Sequence, residues 1–502
     1  MHATVASATL HGAVGTPVSV EVHVSNGLPG FTIVGLPDAS VREARDRVRA
    51  ALLSSGFSWP LRRIVVNLAP SGVRKAGAGL DLPIAVGLLV AAQELEPRCT
   101  EGLSFCGELG LNGSLRHVPG MIALADAAPT SGLVVPLCDV REAALVRGDE
   151  ARGVATLAEL VHVLRGHAEW PVAPARPAPA ATAEAPDLSE VRGQELGRRA
   201  LEVAAAGSHH LLMVGPPGSG KTMLAERLPG ILPPLSLDEA LTVTRVHSAA
   251  GALSEGLLIE RPPFRAPHHQ SSVVSLVGGG SWSLRPGESS LATHGVLFLD
   301  ELGEFAVAAL EALRQPLEEG VIRVSRASGT VTFPADFILV AAMNPCPCGE
   351  GVYEGSCPCT PAMRSRYRRR ISAPLLDRFD LVVPLTRPGA DKLLHGPPGE
   401  PSVDVARRVA LARARAAARR AAGQGEFPLS APAETLLEEK LRSGELSARG
   451  LRKVSGVART LADLSDCCTD SCTDSRTDSR TVSRDHVSEA LSLRAAHRIV
   501  VP

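Results

Sequence analysis

The sequence predicts an α/β protein made of two domains and a helical C-terminal region. Strand and helix patterns alternate over residues 1–165 and again over 188–392. A Pro/Ala-rich run without hydrophobic periodicity separates these regions at 166–187 and is typical of a semi-stiff linker. The remainder, 400–502, is rich in Ala and Arg and has helical periodicity, and the length of 502 residues favours more than one core. Within it, the repeat TDSCTDSRTDSR marks a low-complexity insertion at 465–484.

The first domain alternates between the two kinds of element. VSVEVHV and RRIVVNLAP have the strand-like pattern, and LDLPIAVGLLVAAQEL predicts a mostly buried helix. Between the two strands, VREARDRVRAALLSSG predicts a helix with Ser40 as its N-cap and Gly56 at its end. Asn112-Gly113 predicts a hairpin turn. Together these patterns indicate a compact α/β domain.

Composition narrows the classes of function. The formal net charge of −1 predicts no general attraction to nucleic acid or membrane, so any such binding needs a local basic patch. The N-terminus lacks a signal-peptide pattern, and LDLPIAVGLLVAA is too short to span a bilayer. The ten cysteines lack a secretory setting, which favours reduced thiols or bound metal over disulfides. We therefore expect a cytoplasmic protein without a membrane partner.

A glycine-rich loop in the second domain is the strongest chemical signal. HLLMVGPPGSGKTMLAERL places G-x-x-x-x-G-K-T between an apolar strand and a helix, where glycines let backbone N–H groups turn toward phosphate oxygens. Lys221 would reach the β- and γ-phosphates of ATP, and Thr222 would ligate Mg²⁺. A glycine-rich turn without nucleotide is the simpler alternative. The predicted cofactor-binding residues of this loop are Gly215, Pro216, Pro217, Gly218, Ser219, Gly220, Lys221 and Thr222.

A second motif, GVLFLDELGEF, follows about eighty residues later. Its apolar strand ends in Asp300 and Glu301. We predict that Asp300 holds Mg²⁺ and that Glu301 orients or deprotonates the attacking water. A D-E pair at the end of a strand is by itself often no more than a strand terminus. Paired with the preceding glycine-rich loop, it predicts nucleotide hydrolysis.

Four cysteines lie close together in the segment 346–359. They form the pairs Cys346-Pro-Cys348 and Cys357-Pro-Cys359, with glycines between the pairs. Four thiolates on a short loop can surround one Zn²⁺ tetrahedrally. The spacing differs from the usual C-x₂-C, and a turn-rich loop with free thiols is the alternative.

Two arginine-rich segments supply local positive charge. MRSRYRRR can neutralise phosphates without reading sequence, form salt bridges between subunits or meet a neighbour's nucleotide, and the sequence does not choose among these. VARRVALARARAAARR predicts a helix with Arg408, Arg415 and Arg419 on one face, which we interpret as a solvated face.

The motifs also resemble a known family. GPPGSGKT, FRAPHHQSS, VGGG, RPGESSLATHGVLFLDEL, NPCPCG, PLLDRFDL and LSARG occur in an order similar to that of the ComM (YifB) family of magnesium-chelatase-like AAA+ ATPases. The likeness covers the chain apart from the linker and the TDS repeat. It implies a P-loop AAA+ core with a helical C-terminal lid. It also implies a hexameric bacterial ring that translocates on DNA and promotes branch migration during natural transformation.

The resemblance implies roles for three further residues. Asn344 ends the strand DFILVAAMNPC, where AAA+ proteins place a polar residue that contacts the γ-phosphate or the catalytic water. Arg378 stands where such proteins place an arginine finger that acts on the neighbouring subunit's ATP. Arg449 begins a predicted helix at the position of a second sensor. The simpler alternatives are a polar strand end for Asn344 and ordinary structural arginines for the other two.

FRAPHHQSS, followed by VGGG, lies between the glycine-rich loop and the Asp300-Glu301 motif. This segment resembles the loops that face the central pore of AAA+ rings. His268 and His269 can ligate metal, but no carboxylate or cysteine stands at ligand spacing in the sequence. The resemblance favours a structural or substrate-contacting role for this pair.

The N-terminal domain resembles the Lon-type protease domain through VNLAPSGVRKAGAGLDLPIAVGLL. Lon proteases need a Ser nucleophile and a Lys base. Here the serine position corresponds to Gly79 or a neighbour, and Arg116 occupies the lysine position. An arginine stays protonated and cannot act as the base. We therefore predict an inactive, Lon-protease-like domain.

Two classes of function follow from these motifs. The first is an ATP-dependent DNA motor, which needs ATP and Mg²⁺, with Zn²⁺ as a candidate third cofactor. It would act on branched or single-stranded DNA without sequence preference, and would form a ring of identical chains. The alternative is a magnesium-chelatase-type motor subunit that drives metal insertion into a porphyrin. The fused N-terminal domain and the cysteine-rich loop favour the DNA motor.

Overall fold

The structure is a computed structural model that describes residues 1–75, 77–172, 186–253, 257–280, 284–326, 329–350, 357–423, 428–465 and 481–496. Most of the predicted linker and most of the predicted low-complexity insertion lie outside the described residues.

The N-terminal domain contains strands and short helices in alternation. Its strands are β1 His2–His11, β2 Val14–Ser25, β3 Gly30–Val34, β4 Arg63–Ala69, β5 Leu103–Phe105, β6 Glu108–Leu109, β7 Leu115–Arg116, β8 Gly132–Pro136 and β9 Ala151–Val154. Its helices are α1 Ala39–Ser54, α2 Asp81–Ala91, α3 Met121–Ala127, α4 Val140–Arg147 and α5 Leu157–Leu164.

Seven of these strands form one mixed sheet of order β3-β4-β2-β1-β5-β8-β9. Strands β1 and β2 pair antiparallel along their whole length, whereas β5, β8 and β9 are parallel. Every residue of α2 is buried, which confirms the buried helix that its continuous apolar run predicts. The short strands β6 and β7 form the hairpin predicted at Asn112-Gly113, where Gly113 has the positive φ of 81° that such a turn requires.

The predicted N-cap of α1 was wrong. Asp38, and not Ser40, caps the helix: its carboxylate accepts a hydrogen bond from the Val41 N–H at 2.8 Å. Asp38 has extended backbone angles that place its side chain over the first turn, whereas Ser40 already lies within the helix. At the other end, Gly56 follows the last turn with a φ of 85°.

The second domain contains a parallel sheet, a separate hairpin and many short helices. Its strands are β10 Leu211–Val214, β11 Phe264–Arg265, β12 Val296–Leu299, β13 Val321–Arg326, β14 Gly329–Pro334, β15 Ile338–Met343 and β16 Leu381–Pro384. Its helices are α6 Glu195–Gly207, α7 Lys221–Ala225, α8 Leu237–Ala250, α9 Val273–Val277, α10 Glu288–Leu291, α11 Val307–Ala312, α12 Arg314–Glu319, α13 Pro361–Arg368, α14 Ala373–Leu376 and α15 Ala390–Leu394.

The parallel sheet has the order β11-β12-β15-β10-β16, while β13 and β14 form the hairpin. Side chains of β10 alternate between its two faces: Leu211 and Met213 pack into one core cluster, and Leu212 and Val214 into another. Both faces of this strand are therefore buried, as expected for a parallel sheet covered on two sides. The predicted α/β class is confirmed.

The C-terminal region is helical, as predicted, with α16 Ser402–Ala421, α17 Ala431–Arg442, α18 Ala448–Ser465 and α19 Arg484–Ser492. The interpretation of α16 as carrying a solvated arginine face was wrong. Arg408 pairs with Glu202 on α6, and Arg415 donates to the carbonyl of Asp463. Arg419 is 7% exposed and forms a two-bond ion pair with the Asp463 carboxylate. These arginines dock α16 on its neighbours, because each meets a carboxylate or carbonyl brought close by packing.

The N-terminal domain packs on the second domain through α3 and α8. The Gly120 N–H donates to the Ser248 carbonyl at 3.1 Å, and Arg245 pairs with Asp126 at 3.1 Å. The Ser248 hydroxyl donates to the buried carboxylate of Glu142. None of the helices in the described ranges is long and apolar enough to cross a membrane.

Candidate nucleotide-binding site

The glycine-rich loop lies at the carboxyl end of β10, the strand between β15 and β16. Gly218 and Gly220 have positive φ values of 77° and 82°, and a Cβ built on either would meet open space. At Gly215, by contrast, a Cβ would lie 2.5 Å from the Leu385 carbonyl oxygen. The loop thus needs glycine for two reasons, backbone conformation at two positions and close packing at the third.

Lys221 begins α7 and turns its ammonium group back over the loop. The Nζ atom donates to the carbonyls of Gly215 at 2.8 Å and Pro216 at 2.9 Å, and lies 3.3 Å from Asn344 Oδ1. Burial lowers the pKa of Lys221, while the carboxylates of Asp300 and Glu301 oppose that shift. The ammonium group is thus held where phosphate oxygens can replace its weaker carbonyl partners.

Asp300 and Glu301 follow directly after β12. The Thr222 hydroxyl donates to Asp300 Oδ2 at 2.9 Å, so the two predicted Mg²⁺ ligands are already adjacent. The other carboxylate oxygen, Asp300 Oδ1, accepts from the Glu301 N–H at 2.9 Å. Glu301 has a φ of 52°, a left-handed conformation that costs a non-glycine residue about 1–3 kcal/mol and is found mainly at functional sites.

Asn344 follows β15, the strand between β10 and β12. It lines one cavity of about 380 Å³ together with the glycine-rich loop and the acidic pair. The structure therefore brings together the predicted residues of the loop, of the acidic pair and of the end of β15. Residues that line the cavity are Pro217, Gly218, Ser219, Gly220, Lys221, Thr222, Met223, Asp300, Glu301, Ala342, Met343 and Asn344.

Arg378 and Arg449 lie elsewhere, next to each other. Neither is among the described residues that line the cavity. Arg449 pairs with Asp377 at 3.1 Å, and Arg378 pairs with Glu318. Burial lowers the pKa of Arg378, and the positive charge of Arg449 adds to this effect. Their roles as arginine finger and second sensor stay predictions.

Two residues of the site have partners that could not be assigned from the sequence. Gln194 is buried, and its amide donates to the carbonyls of Ser219 and Thr386, each at 2.7 Å. It therefore holds the glycine-rich loop against the end of β16. The sequence offered one weak sign, a polar residue directly before an amphipathic helix.

His269 is the other such residue. Its Nδ1 lies 3.3 Å from Glu301 Oε2, and its ring packs against that of His268 at a tilt of 34°, with centroids 4.1 Å apart. No carboxylate stands near these histidines in the sequence, but Glu301 does in space. Strand β11, which precedes the pair, runs parallel to β12, and this pairing brings the two motifs together.

The four cysteines of the segment 346–359 converge. Their ligand atoms all lie within 4.8 Å of one another. The Sγ atom of Cys346 is 3.3 Å from that of Cys348 and 3.5 Å from that of Cys357. These separations are too long for disulfides, whose S–S bond is about 2.0 Å. The arrangement is compatible with a metal held by four thiolates.

The residues present fit ATP and Mg²⁺. A loop of glycines with open space above Gly218 and Gly220 can admit phosphate groups. The Lys221 ammonium supplies positive charge beside that space, and the Thr222 hydroxyl and Asp300 carboxylate offer the oxygen ligands that Mg²⁺ prefers. Asn344 and Glu301 line the same cavity, and side chains of these types position a γ-phosphate and an attacking water in this chemistry.

The fold and the site together define a P-loop protein of the AAA+ type. The family model of magnesium chelatase, subunit ChlI, matches residues 187–393, and two further models of that subunit match 20–138 and 399–494. The chain belongs to the ComM (YifB) family of magnesium-chelatase-like proteins, since relatives of both names match it over nearly its whole length.

Three similar proteins illustrate the range of the likeness. The uncharacterized protein YifB of Salmonella typhimurium is 43% identical over 505 residues, covering 97% of this chain and 95% of the relative. The competence protein ComM of Haemophilus influenzae is 41% identical over 503 residues, covering 96% and 95%. The probable DNA helicase MCM9 of Arabidopsis thaliana is 27% identical over 179 residues, covering 36% and 23%.

The predicted protease positions also have places in the structure. Gly79 lies in the single 3-10 turn Ala78–Leu80 before α2, and Arg116 is exposed on β7. The Lon-like character of this domain and its lack of protease activity stay predictions.

Proposed function

We propose that this protein is an ATP-driven motor that moves DNA strands, a branch-migration helicase acting in natural transformation or recombination in the cytoplasm. ATP and Mg²⁺ are its proposed cofactors, with Zn²⁺ at the cysteine cluster. Its proposed partners are branched or single-stranded DNA, bound without sequence preference, and further copies of the same chain in a hexameric ring.

The cavity shared by Lys221, Asp300, Glu301 and Asn344 is the observation that carries the ATPase part of this proposal. When bound, Mg²⁺-ATP supplies the phosphoanhydride bond that is broken. Lys221 neutralises phosphate charge, and Asp300 and Thr222 provide the oxygen ligands for Mg²⁺. Glu301 orients the attacking water and accepts its proton, while the Asn344 side chain contacts the γ-phosphate.

The DNA part of the proposal is supported by the relatives. The competence protein ComM is similar over 96% of this chain, and a probable DNA helicase is similar over 179 residues of it. In the structure, Arg366 and Arg369 are exposed on and just after α13. Guanidinium groups on an exposed helix can contact phosphates without reading sequence.

The ring part of the proposal is supported by Arg378 and Arg449. Arg449 has a side chain that is 74% exposed, and Arg378 is 30% exposed. Neither arginine is among the described residues that line the nucleotide cavity of its own chain. An arginine finger that serves a neighbouring subunit has to stand apart in this way.

A magnesium-chelatase-type motor subunit is the second candidate. The three matching family models favour it, since each describes the chelatase subunit ChlI. Such a motor would use the same ATP cavity but would act on a partner that inserts metal into a porphyrin. The two candidates therefore differ in substrate and not in the nucleotide site.

ATP-dependent displacement of a labelled strand from a three-stranded DNA junction tests the proposal. Glu301→Gln is the matched control, because it keeps the size of the side chain and removes the general base. Displacement by the wild type and none by the variant is the expected result. Hydrolysis that neither branched nor single-stranded DNA alters, with no displacement, would overturn the DNA function while leaving the ATPase in place.

A further inference from the structure

The four clustered cysteines have the chemistry of a metal site. Thiolate ligands without carboxylate or imidazole favour Zn²⁺ or an iron–sulfur group over Mg²⁺ or Ca²⁺. A tetrahedral Zn²⁺ with bonds of about 2.3 Å places its sulfur atoms about 3.8 Å apart. The Sγ separations here, from 3.3 to 3.5 Å among Cys346, Cys348 and Cys357, come close to that value.

The surroundings of the cluster suit a single ion. Cys346 and Cys359 are buried, and Cys348 and Cys357 are half-buried. Four thiolates around one Zn²⁺ carry a net charge of about −2. The guanidinium of Arg364 hydrogen-bonds to Cys357 and offsets part of that charge. Such a partner outside the ligand set is typical of metal sites in proteins.

One side of the cluster packs on the glycine-rich loop. At Gly349, one residue after Cys348, a Cβ would lie 2.6 Å from Pro217 Cδ. Arg387 joins the same two segments, because its guanidinium donates to the Pro217 carbonyl at 2.9 Å and to Glu350 at 2.8 Å. The cysteine-bearing segment therefore supports the loop that would bind phosphates.

The other side of the cluster reaches Asn344 and the acidic pair. Helix α13 begins two residues after Cys359, and its Tyr367 is buried. The Tyr367 hydroxyl is hydrogen-bonded to the Asn344 backbone. A Cβ at Gly303, two residues after Glu301, would meet the Tyr367 ring at 2.6 Å. The Tyr367 side chain thus contacts the backbone of Asn344 and the segment that directly follows Glu301.

We propose that Cys346, Cys348, Cys357 and Cys359 bind one Zn²⁺, and that this ion holds the glycine-rich loop and Asn344 in the arrangement needed for catalysis. The second half of this inference rests on the proposed ATPase function. The metal joins the two C-x-C pairs, one just after Asn344 and the other leading into α13. Without it, Pro217 and Asn344 lose a shared support.

The zinc content of the purified full chain tests the site without any activity measurement. Elemental analysis should find about one zinc per chain, as expected for a four-thiolate site. Cys348→Ser combined with Cys357→Ser should remove it, whereas Cys138→Ser, at an exposed cysteine in the N-terminal domain, should not. A zinc-free wild-type chain, iron in place of zinc, or zinc retained by the double variant would overturn the metal assignment.

ATP binding and turnover, each with and without zinc, test the coupling. We expect turnover to fall by up to about 100-fold on zinc loss, the effect of misplacing catalytic groups by about 1 Å. Should the double variant fail to fold, wild-type chain stripped by a chelator and then refilled with zinc gives the same comparison. Unchanged nucleotide affinity and turnover after verified zinc loss would overturn the coupling. A zinc-loaded chain without any ATPase activity would instead contradict the proposed function.

Discussion

The imidazole of His269 contacts the carboxylate of Glu301, with 3.3 Å between Nδ1 and Oε2. His269 also meets the buried ring of Phe305 edge-on, with centroids 6.5 Å apart, and packs against the tilted ring of His268. The segment that leads from β11 to α9 is thereby joined to the proposed catalytic base. A movement of that segment would shift the His269 side chain and so change its contact with Glu301.

Removing the imidazole tests this relationship. Because His269 competes with water for the Glu301 carboxylate, His269→Ala should raise basal ATP turnover. A partly exposed polar contact of this kind is worth no more than about 1 kcal/mol, which limits the increase to about fivefold. Steady-state phosphate release measures it. His268→Ala is the matched control, since among the described residues it is His269 whose imidazole contacts Glu301. Lower turnover in His269→Ala would mean that the contact orients Glu301 and does not restrain it.

Glu301→Gln should separate binding from hydrolysis. The amide keeps the size of the side chain but cannot accept the proton of the attacking water, so turnover should fall by about 10²- to 10⁴-fold. Binding of a fluorescent ATP analogue should persist, because the loop and Lys221 are intact. Lys221→Ala, which removes the phosphate-binding charge, should lose both. Wild-type turnover in Glu301→Gln would exclude Glu301 as the base.

Arg378→Ala should lower ATP turnover by about 10³- to 10⁵-fold without loss of ATP binding, as expected for an arginine finger. The structure adds a sharper test, since Arg378 stands apart from the cavity of its own chain. Mixing Arg378→Ala chains with Lys221→Ala chains should restore part of the activity, because each can complete a site at a shared interface. Arg442→Ala, at an exposed arginine of α17 that pairs with Glu438, serves as the charge-matched control. Absence of any restoration would argue against a finger that acts between subunits.

Arg419→Met should destabilise the C-terminal helices. The Arg419 and Asp463 side chains are 7% and 5% exposed, with bonds of 2.6 and 3.0 Å. Breaking a buried pair by removing one partner costs about 3–5 kcal/mol, because the remaining charge is left buried. Adding Asp463→Leu should recover much of the loss. Urea unfolding measures both, and Arg407→Met, at a pair that is 74% and 45% exposed, should change stability by no more than about 1 kcal/mol.

Glu142 should make the contact between the two domains dependent on pH. Burial raises the pKa of this carboxyl, although Ser248 and the Ile122 N–H donate to it, and Asp139 adds to the rise while His117 opposes it. A carboxyl with a higher pKa in the folded state stabilises the fold below its ordinary pKa. That contribution is lost as the pH rises through the folded value.

Glu142→Gln keeps an oxygen acceptor for both donors and removes the buried charge. The variant should lose this pH dependence and unfold at an equal or higher temperature than the wild type at about pH 8. Glu142→Ala removes the acceptor and should cost about 1–3 kcal/mol. Thermal unfolding followed across the pH range measures all three. A lower unfolding temperature for Glu142→Gln at every pH would show that the carboxylate charge itself stabilises the contact.

Local motifs were readable from the sequence because their geometry is local. The loop from Gly215 to Thr222 has its glycines, lysine and threonine within one turn of chain, so its shape follows from neighbouring residues. The alternation of apolar and polar residues likewise predicted β2, and a continuous apolar run predicted α2, since a strand buries one face and this helix is buried on all sides. The order of the motifs along the chain was enough to indicate the family.

Contacts between distant segments were decided by the tertiary structure. Periodicity states which face of α16 packs inward, but not that Arg419 finds Asp463 there, and so the face was misread as solvated. The contact of Gln194 with the loop and that of His269 with Glu301 were missed for the same reason. Their partners come from other strands of the sheet, and strand order is a property of the whole fold. The sequence by itself thus determined the class of chemistry, while packing decided which side chains support and restrain it.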